Sequence, residues 1–191
     1  MKKVLVMLAD GFEEVEALTV VDYLRRMDVV CDICSIMSSK KVKGAHNISI
    51  EADIKLDDVL GHNEYDGIIL PGGMPGATNL RDNDEVIKLV QEFNENNKLI
   101  AAICAAPIIL EKAGIIEGKD LTSYPGFEED LRVGNYKEDL VVQDGNIITG
   151  RGPAVAVYFA LYIVEYLVGK DKKESLKKDI LLDEVEKKVG R

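Results

Sequence analysis

Leu99-Ile100-Ala101-Ala102-Ile103-Cys104-Ala105-Ala106-Pro107 is a stretch without a single charge. A short apolar run that ends at a turn reads as a buried strand. Cys104 takes the turn, and a helix begins with Pro107 in its first turn, where a missing N–H costs nothing. Small residues on both sides of the cysteine let the chain bend tightly. A strand that stays apolar without alternation belongs to a parallel sheet covered on both faces, which sets the fold class as α/β. The same strand–turn–helix logic builds nucleophile elbows, which present a side chain at the sheet edge, often on strained backbone. The positive end of the helix dipole favours thiolate at such a position. Taken alone, the string fits an inert cysteine packed as a small hydrophobe equally well.

On either side, short apolar runs alternate with helix-period segments, the pattern of a parallel sheet with crossover helices. Val4 to Leu8 reads as a first buried strand. Glu13 to Arg26 reads as a helix with an apolar stripe at Val15, Leu18, Val21 and Leu24. Val29 to Ile36 is a second predicted strand, and Asn47 to Ala52 an edge strand or hairpin arm. Tyr65 to Leu70 is a buried strand ending at Pro71-Gly72-Gly73. A helix is predicted over Glu85 to Asn94, a strand over Lys98 to Ile103, and a helix over Ala105 to Ala113, closed by Gly114. Leu140 to Gln143 and Ile147 to Thr149 flank Asp144-Gly145-Asn146, a hairpin signal. Ala154 to Val168 is a long apolar helix ended by Gly169. No repeat or linker interrupts the series. The expectation is a single domain over 1–191, with a core over 1–169 and a helical C-terminal segment over 170–191.

Hydrophobic residues make up 47% of the 191 and charged residues 30%, a globular composition. Aromatics are only 6% and tryptophan is absent, so the core must be built from Val, Ile, Leu and Ala. Lys plus Arg number 24 against 34 Asp plus Glu, a formal charge of -10. That field repels phosphate backbones, and no nucleic acid is expected as a partner. Three cysteines argue against a disulfide framework and for a reducing cytoplasm. Cys31 and Cys34 spell C-x-x-C, but inside a strand their side chains point to opposite faces, which predicts core packing rather than a redox or zinc pair. The apolar start is too short for a signal peptide, and no run approaches the roughly 18 residues of a membrane span. No membrane partner is expected.

In open α/β sheets, ligands gather outside the carboxyl ends of the strands. Three segments with unusual chemistry arrive there: Asp10-Gly11-Phe12-Glu13-Glu14-Val15-Glu16, Pro71-Gly72-Gly73, and Cys104-Ala105-Ala106-Pro107. The glycines allow backbone N–H groups to be aimed at a developing negative charge. Acids at a helix start also suit the dipole. Glu13 and Glu16 both fall roughly in line with Val20 and Leu24, so periodicity does not choose which faces the cysteine.

These strings, with Arg151-Gly152-Pro153, stand in the order and spacing of the ThiJ/PfpI superfamily, and the chain resembles its DJ-one branch from Lys3 to about Gly169. The resemblance implies a flavodoxin-like three-layer sandwich, mostly parallel, related to class I glutamine amidotransferase domains. It places Cys104 as the reactive cysteine and Glu16 as the acid that hydrogen-bonds it, with the Gly73 and Ala105 N–H groups as an oxyanion site. A protonated Glu16 would donate to the thiolate, whereas a charged one would raise the thiol pKa. No cofactor and no metal are expected, and relatives imply a homodimer.

Two departures bear on activity. Relatives with glyoxalase or deglycase activity carry His before a Pro near the cysteine; Leu121-Thr122-Ser123-Tyr124-Pro125 carries Tyr124. A phenol is a poor base at neutral pH, though it can donate a hydrogen bond. Peptidase-type relatives have His directly after the cysteine, where Ala105 stands. His46 falls near a position where relatives use Arg to bind an anion, and reads as a weak anion contact or a plain loop residue. His62 reads as a loop residue and Arg151 as a structural cap. The resemblance thus implies a small carbonyl substrate or an oxidant. The chemistry would be glyoxalase/deglycase-type on 2-oxoaldehydes, alternatively redox sensing or chaperone-like behaviour through Cys104 sulfinic acid. An amidase or peptidase is the weakest reading.

Overall fold

The computed structural model describes residues 1–61 and 64–190, and the loop reading of His62 lies outside them. Strands β1 (Lys3–Leu8), β2 (Val30–Ser35), β5 (Ile54–Lys55), β6 (Gly67–Leu70), β7 (Leu99–Ile103), β10 (Val141–Asp144) and β11 (Ile147–Gly150) form one seven-stranded sheet in the order β10-β11-β7-β6-β1-β2-β5. All neighbours run parallel except β10, which pairs antiparallel with β11 across the Asp144-Gly145-Asn146 turn. The parallel order is the flavodoxin-like one, and its switch point lies between β1 and β6, where the connections leave in opposite directions.

Period-2 alternation sends each strand's side chains to two separate cores. Val4, Val6 and Leu8 pack with α1 (Glu14–Arg26) and α5 (Ala156–Val168). Leu5 and Met7 face α2 (Gly76–Arg81), α3 (Asp84–Glu95) and α4 (Pro107–Lys112). Cys31 lies in the first core and Cys34 in the second, as their spacing requires. Burial pushes both thiols up to about 12, so neither is poised to react at neutral pH.

Several boundaries differ from the sequence reading. The buried residues of α1 are Glu14, Glu16, Ala17, Val20, Val21 and Leu24, while Val15 and Leu18 are 51% and 37% exposed. The rotation is set from outside the helix: the Glu13 N–H donates to the Gly72 carbonyl at 2.9 Å, which turns the next residues toward the sheet. Of the two readings of Asn47 to Ala52, the hairpin arm is the one observed, with β4 (Ser49–Glu51) paired antiparallel to β3 (Lys41–Lys43) apart from the main sheet. That hairpin is anchored on the turn after β1 by Gly11 N–H to Lys43 O and Ala45 N–H to Phe12 O. A short parallel pair, β8 (Asp120–Leu121) with β9 (Asn135–Tyr136), had no periodic signal. The helix predicted from Ala105 begins at Pro107, because Ala105 and Ala106 are spent on the turn. The C-terminal segment is two helices, α6 (Lys170–Asp179) and α7 (Leu182–Val189). They part at Leu181, which sits in the left-handed region with φ 59°, and they bury Leu176 and Leu182 against the α1/α5 core. Among the described residues no helix is long and apolar enough to cross a membrane.

Candidate active site

The sheet order makes β7, β6 and β1 consecutive neighbours, so the three chemically unusual segments meet at one edge. Cys104 ends β7 with φ 64°, a left-handed conformation that a residue with a Cβ rarely adopts. Two long-range bonds hold it there: its N–H donates to Gly150 O at 2.9 Å, and its carbonyl accepts from Tyr124 N–H at 3.0 Å. The strain is thus imposed by neighbouring segments, as at a nucleophile elbow. The thiol is partly accessible, unlike those of Cys31 and Cys34.

Glu16, one turn into α1, is completely buried. Its Oε2 accepts the Gly72 N–H at 2.8 Å. Its Oε1 has no hydrogen-bond partner among the described residues, and the Cys104 side chain is the thiol whose neighbourhood affects this carboxyl. Gly72 is the spacer that permits this approach. A Cβ at its position would stand 2.6 Å from Cys104 Cβ and 2.7 Å from Glu16 Oε2. The next residue, Gly73, has φ +86° and no room for a side chain against the Gly11–Glu13 backbone. Its N–H and that of Ala105 are the backbone donors that act to lower the pKa of the Cys104 thiol.

Burial pushes the Glu16 carboxyl up to about 7, against the lowering effect of the Gly72 N–H. Burial, and then the charge of Glu16, push the Cys104 thiol up to about 12, against the Ala105 and Gly73 N–H groups. The helix N-terminus alone therefore does not deliver the acidic thiol expected from the sequence. The pair shares one proton: when it sits on Glu16, the repelling charge becomes a hydrogen-bond donor and the sulfur can carry the negative charge.

Tyr124 binds Cys104 through its backbone, while its half-exposed ring lies over Gly152. Tyr124, Pro125, Leu140, Arg151 and Gly152 line a cavity of about 220 Å³ on that side. The Arg151 N–H donates to Leu140 O at 3.0 Å, and one guanidinium nitrogen, Nη1, is buried without a partner among the described residues. His46 sits exposed in the turn between β3 and β4 and faces carboxylates of its own chain. Its Nδ1 lies 2.9 Å from Glu14 Oε2 and 3.4 Å from Glu13 Oε2, and these carboxylates raise its pKa. Sequence reasoning missed Glu14, buried despite its charge, and missed Gly72 as the wedge between acid and thiol. The paired glycines after β6 were the available signal.

The DJ-1/PfpI family model matches residues 2–166. The chain belongs to the DJ-1/PfpI family. It is 39% identical to protein dj-1beta of Drosophila melanogaster over 184 residues, covering 95% of this chain and 97% of that one. With the zebrafish Parkinson disease protein 7 homolog it shares 36% over 184 residues, with the same coverage. Among solved structures, oxidized DJ-1 of Toxoplasma gondii superposes with a TM-score of 0.90 at 32% identity, over 95% of this chain and 98% of that one. A DJ-1 superfamily protein of Salmonella typhimurium gives a TM-score of 0.91 at 33% identity, over 95% and 98%. This DJ-1/PfpI chain therefore has the flavodoxin-like fold of its relatives.

Proposed function

We propose that this chain is a cofactor-independent enzyme acting on small 2-oxoaldehydes, of the glyoxalase/deglycase type. The observation that carries the reading is the close approach of the buried Glu16 carboxyl to Cys104 across Gly72, at a left-handed turn flanked by the Gly73 and Ala105 N–H groups. In this mechanism the thiolate adds to the aldehyde carbon of methylglyoxal, giving a hemithioacetal whose oxygen is held by the two N–H groups. The new oxyanion takes the Glu16 proton. Glu16, now a carboxylate, takes the proton from that carbon, giving an enediol thioether, and returns it to the adjacent carbon while the hydroxyl proton passes to the neighbouring oxygen, giving a hydroxyacyl thioester. Water cleaves the thioester, releases lactate and restores the thiol. No electrons enter or leave. Tyr124 in place of a histidine base keeps turnover slow, since a phenol hydroxyl serves as a hydrogen-bond donor rather than as a general base. The reading includes a cytoplasmic location and a homodimer, in which a second copy would cover exposed Val15 and Leu18. Purified protein given methylglyoxal is expected to yield lactate, and Cys104→Ser to yield none above buffer. Equal lactate from both proteins would refute the enzyme.

A second reading, redox sensing, is favoured by the same orphan oxygen. Protonated Glu16 can donate to a sulfinate on Cys104, and the thiol is the accessible one of three. Mild peroxide followed by peptide mass analysis is then expected to add two oxygens to Cys104 while Cys31 and Cys34 stay reduced. Oxidation spread evenly over the three would remove this reading.

A further inference from the structure

Glu13 and Glu14, at the start of α1, are two carboxylates that turn toward one imidazole. Glu14 is 4% exposed. Its Oε1 is fixed by the N–H groups of His46 at 2.8 Å and Ile48 at 3.4 Å, which leaves Oε2 facing the His46 ring. Gly44 makes the seat: a Cβ there would strike the Glu14 carboxylate. The Glu13 side chain is only 13% exposed and brings Oε2 to the same Nδ1. Among the described residues, His46 is the only cationic partner of either acid. Two carboxylates thus stand together, largely out of water, with one weak base between them. That electrostatic deficit is met best by a small ion of higher charge.

The spacing has the dimensions of a first coordination sphere. Three ligand atoms about 2.1 Å from a tetrahedral zinc ion stand about 3.4 Å apart. Here the ligand atoms all lie within 4.8 Å of one another, with Nδ1 at 3.4 Å from Glu13 Oε2 and 2.9 Å from Glu14 Oε2. We propose that Glu13, Glu14 and His46 form a binding site for a divalent late first-row transition ion. One imidazole and two carboxylates suit zinc better than the all-oxygen shells that calcium and magnesium demand. The His46 side chain is 69% exposed, so the fourth position opens to water. Binding displaces the Nδ1 proton, and no electron transfer is involved. The site is separate from the Cys104 chemistry, although Glu13 is one turn from Glu16 on the same helix.

Zinc is the probe, titrated by calorimetry into the wild-type chain and into Cys104→Ser, with cobalt(II) absorption as a reporter of ligand type. Both proteins are expected to bind one ion per chain, with a cobalt spectrum lacking thiolate charge transfer. His46→Ala, at an exposed ring, is expected to weaken binding by roughly tenfold or more. Glu13→Gln is expected to do the same, and His62→Ala to change nothing. Unchanged affinity in His46→Ala, or loss of binding in Cys104→Ser alone, overturns the proposal, as does the absence of binding to wild type.

Discussion

Gly72→Ala is expected to lower the melting temperature by roughly 6–12 °C, the effect of about 3 kcal/mol of overpacking in a chain of this size. The new methyl group would fall 2.6 Å from Cys104 Cβ, 2.7 Å from Glu16 Oε2 and 3.0 Å from Ile103 O. None of these neighbours can swing away. Cys104 is held through its backbone at both ends, Glu16 is enclosed in the core, and Ile103 O belongs to the central sheet. Relief must come from moving β6 away from β7 or from expelling Glu16, and either breaks the acid–thiol contact. Thermal melting together with iodoacetamide labelling of Cys104 tests this. A variant that melts within about 1 °C of wild type and labels at the same rate would show that the glycine is not the spacer described here.

Glu16→Gln is expected to stabilise the fold at alkaline pH while impairing the chemistry. The Glu16 carboxyl titrates near 7 in the folded chain against 4.5 for a free group. A raised folded pKa means that its contribution is fully present below about 4.5 and is lost as pH rises through 7. Above that, wild type carries a buried charge whose cost reaches about 3 kcal/mol at most. Glutamine keeps the acceptor for the Gly72 N–H and has nothing to ionise. The variant is therefore expected to lack this pH slope in denaturant titrations, and to exceed wild type in stability above neutrality. Turnover of methylglyoxal should fall by roughly 10²–10⁴-fold, the scale of losing a positioned acid–base group. A variant that keeps the wild-type slope would show that another group carries the titration.

The two variants separate what the chain states locally from what it does not. The strand–turn–helix reading around Cys104 came from nine adjacent residues, and the observed φ of 64° is the strain that such a turn implies. The buried strands and the β10–β11 hairpin were legible for the same reason, since alternation, apolar runs and Asp144-Gly145-Asn146 act over a few bonds. The face of α1 was not. Val15 and Leu18 satisfy an apolar period as well as Ala17 and Val20 do, and one hydrogen bond from Glu13 to the β6 turn decides between them. The partners of His46 were not legible either, because its carboxylates lie 32 and 33 positions away in sequence.

Sequence by itself established the α/β class, the tight strand-to-helix turn at Cys104 and the glycine pair after the preceding strand, because each is written in residues that touch along the chain. Periodicity left Glu13 and Glu16 open and the family resemblance named Glu16; the tertiary structure buries that carboxyl, sets Gly72 between it and Cys104, and brings two acids to His46. The physical reason is sheet order. Placing β7, β6 and β1 side by side unites groups 56 and more residues apart, and helical periodicity, with its tolerance of a fraction of a turn, cannot fix which side chain such a junction receives.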